Sequence, residues 1–395
     1  MNGISQNNRT ELAQVFFKLG VIGFGGPAAH IAMMEDEVVN RRQWISRSHF
    51  LDLVGATNLI PGPNSTEMAI HIGYTYGGLP GLLVAGVCFL LPAIVITGVL
   101  AWVYVSFGQI PQVAPLLYGI KPAVIAVIFG ALWRLGKKAV KSRELFFLWI
   151  LVAIILLVFP INAAVALLLG GFLGMLWLRR DSLLSWWFPR DGDKNGFWLP
   201  LLAMAGSAAA EATTSAPLWQ LGLFFLKVGC ILFGSGYVLV AFLEGELVAG
   251  FGWLTQQQLL DAIAIGQFTP GPVLSTSTFI GYLVSGWPGA MVATLGIFTP
   301  SFLFVLLLNP QIPRMRSSAT MSAFLDAINV SAVSLMAVVT VRLAVTSLFD
   351  PFDWLAMAIT AIAGFLVVRY RTNAAWLVLG GAIMGYIGKQ VFSLA

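Results

Sequence analysis

Two Pro-Gly-Pro tripeptides, Pro61-Gly62-Pro63 and Pro270-Gly271-Pro272, each interrupt an apolar run and sit among hydroxyl and amide residues. Proline suits the first position of a helix, where the next N–H groups have no intrahelical acceptor, and glycine lets a ligand approach the backbone. After the first tripeptide the N–H groups of Asn64, Ser65 and Thr66 would face the break; around the second stand Gln267, Thr269 and Ser275. A helix start carries about half a positive charge and binds oxyanions. Two such ends facing each other would replace the hydration of a tetrahedral dianion. The bland alternative is a pair of packing kinks, and the matched flanking residues weigh against it.

A second pair of breaks lies upstream, GFGGP at 23–27 and FGSG at 233–236. Gly25, Gly26, Gly234 and Ser235 there either permit close helix crossing or expose backbone N–H to an ion. Lys18 and Lys227 precede these breaks inside apolar runs. A buried ammonium costs on the order of 2.5–3.5 kcal/mol, so each lysine either serves an anion or snorkels to an interface. Proton coupling needs a titratable group near the anion, and Glu35, Glu67 and His30 are the candidates. Glu67 equally suits a helix start as a plain dipole partner. His30, His49 and His71 show no paired-ligand spacing, so no metal site is expected, and neither a nucleotide loop nor a GxSxG elbow occurs. No cofactor is expected.

The elements that must carry these residues belong to a membrane. Of 395 residues, 58% are hydrophobic and 10% charged, with mean hydropathy +0.87, against roughly a quarter charged in soluble domains. A soluble core could not hide that apolar surface, so part of the solvent is lipid. Net charge is +5, and 15 of the 22 Lys and Arg lie at or before position 194 in short clusters such as Arg134, Lys137, Lys138, Lys141 and Arg143. That is the pattern of cytoplasmic loops rather than of a nucleic-acid surface. Cys88 and Cys230 lie in apolar stretches without a CxxC, and the polar first eleven residues have no apolar h-region, so neither disulfides nor a cleavable signal is expected.

The chain repeats itself. A shift of 209 carries Lys18, Gly20, Phe24, Glu35, Glu37, Trp44, Asp52 and the first Pro-Gly-Pro onto Lys227, Gly229, Phe233, Glu244, Glu246, Trp253, Asp261 and the second. A shift of 208 pairs Gly73-Tyr74, Pro80-Gly81, Pro92 and Arg134 with Gly281-Tyr282, Pro288-Gly289, Pro300 and Arg342. The organisation expected is a first repeat over 1–195, a linker over 196–217 that carries a further membrane segment or none, and a second repeat over 218–395. The fold class is all-α, polytopic, with two homologous repeats whose helices break at Gly/Pro motifs and with 9–13 crossings. Loop charges favour inversion: the basic loop 134–143 matches 342–353 with its Asp350 and Asp353, whereas Arg314, Arg316, Arg369 and Arg371 match first-half loops that lack bases. Arg41, Arg42 and Arg47 fit this scheme only if the first two segments are re-entrant hairpins. Inverted repeats with broken helices are an architecture of secondary transporters, with the site at the midplane, and rocking of one repeat against the other would give alternating access.

The stretch GFGGPAAHIAMMEDEVVNRRQW, the Pro-Gly-Pro segment followed by Gly-Tyr, and FGSGYVLVAFLEGELV with WLTQQQLLDAIAIGQFTPGP resemble the chromate ion transporter family in its two-domain form. The resemblance covers nearly the whole chain and implies efflux of chromate across the bacterial inner membrane, driven by the proton-motive force and conferring resistance. It directs attention to Gly23–Pro27, His30, Glu35, Arg41, Arg42, Trp44, Pro61–Pro63, Phe233–Gly236 and Pro270–Pro272. The second half lacks counterparts of His30, Arg41, Arg42 and Glu67, so the halves have unequal roles. Expected partners are chromate or a similar oxyanion with sulfate as analogue, the lipid bilayer, and no nucleic acid; a homodimer stays open. Import or exchange of sulfate or another anion, an anion channel and an intramembrane lipid enzyme are the alternatives.

Overall fold

The computed structural model describes residues 6–24, 26–108, 114–159, 161–180, 217–233, 236–309, 318–350 and 352–393. Among these the chain is helical, with one isolated bridge between Phe349 and Phe352. The first unit comprises α1 (Gln6–Ile22), α2 (Pro27–Glu35), α3 (Arg47–Thr57), α4 (Asn64–Phe107), α5 (Ala114–Ala139), α6 (Arg143–Val158) and α7 (Ala163–Leu178). The second comprises α8 (Leu218–Ile231), a short helical run ending in α9 (Leu239–Phe242) and the π turn Leu243–Val248, then α10 (Gln256–Phe268), α11 (Thr276–Leu308), α12 (Ala319–Leu348), α13 (Trp354–Arg369) and α14 (Ala374–Ser393). The linker 196–217 lies outside the described residues except for Pro217, as do Gly25, Gly234 and Ser235.

Local sequence accounts for the starts and bends. Ser142, Asn162 and Asp353 cap α6, α7 and α13 through their side-chain oxygens, and Thr255 forms a capping box with Gln258 at α10. α4 turns back on itself at Gly78 (φ +58°), just ahead of Pro80, and α11 does so at Gly286 (φ +60°), ahead of Pro288. Residues eight apart in a straight helix lie about 12 Å apart, yet Gly73 touches Gly81 and Gly281 touches Gly289. Glycine at both contacts is what lets the arms close. Each helix is therefore an inner arm (64–77, 276–285) folded against a long outer arm (79–107, 287–308).

The long arms set the depth of everything else. α1 runs parallel to the outer arm of α4, with Leu12 against Gly81 and Gly20 against Phe89 and Pro92. The break after Ile22 is thus about 20 Å from the Gly78 bend, near the middle of a bilayer. The chain then returns: Arg42 bonds Glu11, and Trp44 stacks on Tyr76 with ring centroids 4.3 Å apart. The α1–α2 pair is therefore re-entrant, and so is α3 with the inner arm of α4. Arg41, Arg42 and Arg47 consequently lie on the same side as the basic loop 134–143. Hydrogen bonding to Glu37, offset in part by burial and aided by Glu11, raises the already high pKa of Arg42.

The homologous outer arms run antiparallel, with Gly86 on Phe302 and Gly98 on Trp287. A two-fold relation between antiparallel helices has its axis perpendicular to them. With these helices crossing the bilayer, that axis lies in its plane and the two units are inverted. By length and composition α4, α5, α11 and α12 can each cross a membrane, and α6, α7, α13 and α14 pack beside them. Along the outer arm of α4, Leu79, Leu83, Val87, Leu91, Val95 and Val99 recur every four residues, all about half exposed. This apolar stripe is the face offered to lipid.

The units are also interleaved. α5 packs on α14, with Gly119 against Gly381 and Gly385, and α12 packs on α7, with Ala327 against Gly174. Ser334 of α12 donates to the Trp149 carbonyl at 2.9 Å, and Thr360 of α13 to the Pro122 carbonyl at 3.2 Å. Elements of both repeats form one scaffold (α5–α7 with α12–α14) and one core (α1–α4 with α8–α11). Rocking of one whole repeat against the other would have to break these contacts.

Candidate functional site

The four helix breaks meet at the centre of the core and clasp one another across the units. Gly62 N–H donates to the Leu232 carbonyl at 2.8 Å, and Gly271 N–H donates to the Gly23 carbonyl at 2.6 Å. Under the repeat shift these are the same bond made twice, since Gly23 corresponds to Leu232 and Gly62 to Gly271. Extended residues on either side of each break leave these groups without helical partners, and the other unit supplies them.

Around this clasp four helical segments begin. A cavity of ≈ 40 Å³ is lined by Pro27 and His30 at the start of α2, by Pro63, Asn64 and Ser65 at the start of α4, by Gly236 and Tyr237, and by Pro272, Val273 and Leu274. It has room for a few waters. The first N–H groups of a helix have no intrahelical acceptor, so four positive helix ends converge on one small buried volume. Asn58 and Asn64 bridge the first break, Nδ2 of Asn64 donating to Oδ1 of Asn58 at 3.0 Å. Tyr237 donates to Oε1 of Gln267 at 2.9 Å beside the second, and the buried Nε2 of Gln267 has no partner.

The residues expected to serve the site divide into several groups. Pro63, Asn64, Ser65, Pro272 and His30 line the cavity; Pro61, Gly62, Pro270 and Gly271 form the turns that carry it; Gly26, with φ +80°, sets the start of α2. Thr66 N–H does not face the break, since it donates to the Pro63 carbonyl at 2.8 Å. Ser275 lies behind the cavity, its N–H on the Pro272 carbonyl (3.0 Å) and its Oγ receiving Thr97 at 3.2 Å, and Thr269 Oγ1 donates to the Ile265 carbonyl at 2.8 Å. Neither lysine reaches the cavity. Lys18 is exposed on α1, and Lys227 bonds Glu246 within the second unit, its ammonium 5.7 Å from the Phe224 ring centre. The apolar flank of each lysine looks alike in sequence, but among the described residues only the second finds a carboxylate, one hairpin away.

Among the proton candidates, Glu35 faces the basic side and pairs with Arg47 at 3.3 Å. His30 is buried edge-on to Phe89, its Nε2 2.9 Å from the Gly23 carbonyl. Glu67 is wholly buried and neither carboxylate oxygen has a partner. It folds back toward the break rather than serving its own helix start: a methyl group at Gly62 would collide with Glu67 Oε1 and lie 2.8 Å from the unpartnered Oγ of Ser301 in α11. Ser301 and Tyr237 were not expected. Tyr237 directly follows FGSG in the sequence and could have been noticed; Ser301 carries no local signal, because its role comes from packing across the units.

Two wider cavities flank the small one. A space of ≈ 410 Å³ runs from Asn58 and Asn64 to Lys138, Lys141 and Asp326, and one of ≈ 280 Å³ runs from Gly271 and Gln267 to Arg134 and Arg371. Both lead from the breaks to the basic side. On the opposite side a cavity of ≈ 270 Å³, lined by Lys121, Asp350 and Asp353, includes none of the break residues. The two wider cavities that reach the breaks thus open toward the basic face. Among the described residues no cluster of His, Cys, Asp and Glu is arranged to hold a metal.

Comparison with known proteins gives a consistent picture. A sequence model described as chromate transporter matches twice, over residues 10–175 and 219–386. A Synechococcus elongatus protein named "Probable chromate transport protein" is 34% identical over 377 residues, 95% of each chain. The chromate transport protein of Cupriavidus metallidurans is 33% identical over 381 residues, covering 95% of this chain and 92% of its own. A shorter, uncharacterised transporter of Bacillus subtilis is 31% identical over 131 residues, 33% of this chain and 74% of its own. No solved structure gives a significant match.

Proposed function

The chain belongs to the chromate transporter family, and from that premise we propose that it exports chromate, or a related tetrahedral oxyanion, from the cytoplasm across a bacterial inner membrane, coupled to the proton-motive force. Resistance to chromate is the physiological consequence of such export. The observation that carries the reading is the convergence of four helix starts on one buried cavity at mid-membrane depth. Such a cavity replaces anion hydration with fixed backbone donors and discriminates against cations.

In this reading the anion enters from the basic face, the clasped breaks part to admit it, and Asn64, Ser65, Val273 and Leu274 N–H groups coordinate it. The core carrying both Pro-Gly-Pro breaks then moves against the scaffold, opening the site to the other side. Glu67 supplies coupling: it lies one side chain from Gly62 and has no partner to hold its charge, so its protonation state and the anion's presence bias each other. His30, on the opposite wall, orients the first break through the Gly23 carbonyl. The chain acts as a transporter without a covalent step. Among the described residues the helices make eight crossings and four re-entrant hairpins, with Leu178 and Leu218 on opposite sides of the membrane.

The test is chromate uptake into inside-out vesicles containing the protein, with and without a proton gradient. Gradient-dependent accumulation competed by sulfate supports export. Uptake of sulfate into right-side-out vesicles, unaffected by chromate, would replace export with import.

A further inference from the structure

The ≈ 280 Å³ cavity on the basic side combines features that the central site does not use. Arg134 comes from α5 of the first unit, and Arg371 from the turn between α13 and α14 of the second. Neither forms an ion pair among the described residues, and no carboxylate lines the cavity. Two guanidinium groups lining one cavity repel each other, and no acid among the lining residues offsets this. Arg371 also holds φ +53°, a backbone conformation that costs a non-glycine residue on the order of 1–3 kcal/mol. Glycine, which the turn would prefer, is not used.

The floor of the cavity leads inward. Gln267 lies there with its buried, unpartnered Nε2 donor, next to Tyr237, whose hydroxyl donates to Gln267 Oε1 at 2.9 Å. Tyr237 and Val273 line this cavity and the ≈ 40 Å³ central one alike. Its counterpart on the far face carries Asp350 and Asp353 against the single base Lys121, a lining less favourable to an anion.

We propose that Arg134 and Arg371 form a second oxyanion site, a loading station on the cytoplasmic side from which the anion passes by way of Gln267 to the helix ends. Arginine suits the task because its planar fork donates two parallel N–H groups to a tetrahedral oxyanion. The chemistry recognised is a divalent oxyanion such as chromate or sulfate. The site deepens the export reading and rests on it for direction, not for binding. With bases in excess in the inner cavities and acids in excess in the outer one, loading from the cytoplasm is favoured over loading from the exterior.

The experiment uses full-length protein in two assays. In inside-out vesicles, Arg134→Gln and Arg371→Gly each raise the chromate KM about tenfold, while kcat stays within twofold. Arg371→Gly suits the turn's positive φ, so misfolding does not account for a loss. Arg134→Lys and Arg371→Lys recover most of the affinity, and Arg369→Gln, which alters a base outside the cavity, leaves KM unchanged. Raising ionic strength weakens the wild type more than the double variant. In the second assay, equilibrium dialysis of chromate against purified protein, the double variant loses an anion site that the wild type has. KM values within twofold of wild type, or equal binding by wild type and double variant, overturn the loading site. Absence of transport by the wild type, with the dialysis difference intact, overturns export and leaves the loading site standing.

Discussion

Replacing Gly62 by alanine perturbs the clasp at its tightest point. Gly62 has φ +142°, and a Cβ there would overlap Glu67 Oε1 and sit 2.8 Å from Ser301 Oγ. The backbone alone costs on the order of 1–3 kcal/mol for a non-glycine residue. Displacing a fully buried carboxylate in a packed interior adds about 1–3 kcal/mol. Gly78 isolates the two contributions, since its φ is also positive (+58°) and a Cβ there meets nothing within 4 Å. Gly78→Ala should therefore show the backbone cost and Gly62→Ala the sum, a difference of about 1–3 kcal/mol. Thermal unfolding of the purified proteins, followed by tryptophan fluorescence, reads that difference. Chromate uptake per folded molecule should fall at least tenfold for Gly62→Ala and stay within twofold for Gly78→Ala. Adding Ser301→Ala to Gly62→Ala should recover part of the stability. Equal stability and uptake of the two glycine variants would refute the reasoning, because the close approach of Glu67 to the break would then not matter.

Other expectations follow from the same geometry. Glu67→Gln keeps the shape of the side chain and should leave the protein folded and able to exchange chromate for chromate, while gradient-driven accumulation is lost; counterflow and gradient uptake in one vesicle preparation separate the two. Lys227 and Glu246 form a largely buried pair away from the cavity, so Glu246→Gln should destabilise by about 3–5 kcal/mol without changing the chromate KM of the folded fraction, whereas Lys227→Met with Glu246→Leu should restore stability in thermal unfolding. In a background with Cys88 and Cys230 replaced by serine, Ser48→Cys should react with a membrane-impermeant thiol reagent from the cytoplasmic side and Gln257→Cys from the opposite side, since the hairpins of the two units return to opposite faces.

Much of the architecture is legible in the residues because it rests on local chemistry repeated twice. The Pro-Gly-Pro and glycine breaks announce themselves by type, and their recurrence at a fixed shift marks the duplication. The bases Arg41, Arg42 and Arg47 even require the hairpins to be re-entrant. What could not be read is whatever depends on which helix of one unit meets which helix of the other. The N–H of Gly62 finds the Leu232 carbonyl, Ser301 comes beside Glu67, and α5 lies on α14, all over sequence separations of more than 150 residues. Lys18 and Lys227 illustrate the limit: similar apolar flanks, yet one is exposed and the other bonds Glu246. Thr66 shows it on a smaller scale, because a tight first turn hands its N–H to Pro63 rather than to the break.

The most direct measurement of the central claim is chromium anomalous scattering from crystals of the protein grown with chromate. A chromium peak between Asn64–Ser65 and Val273–Leu274, with its oxygens on the helix-start N–H groups, is the result predicted. A peak confined to the outer cavities in a transport-competent protein, with the space between the breaks empty, would contradict it.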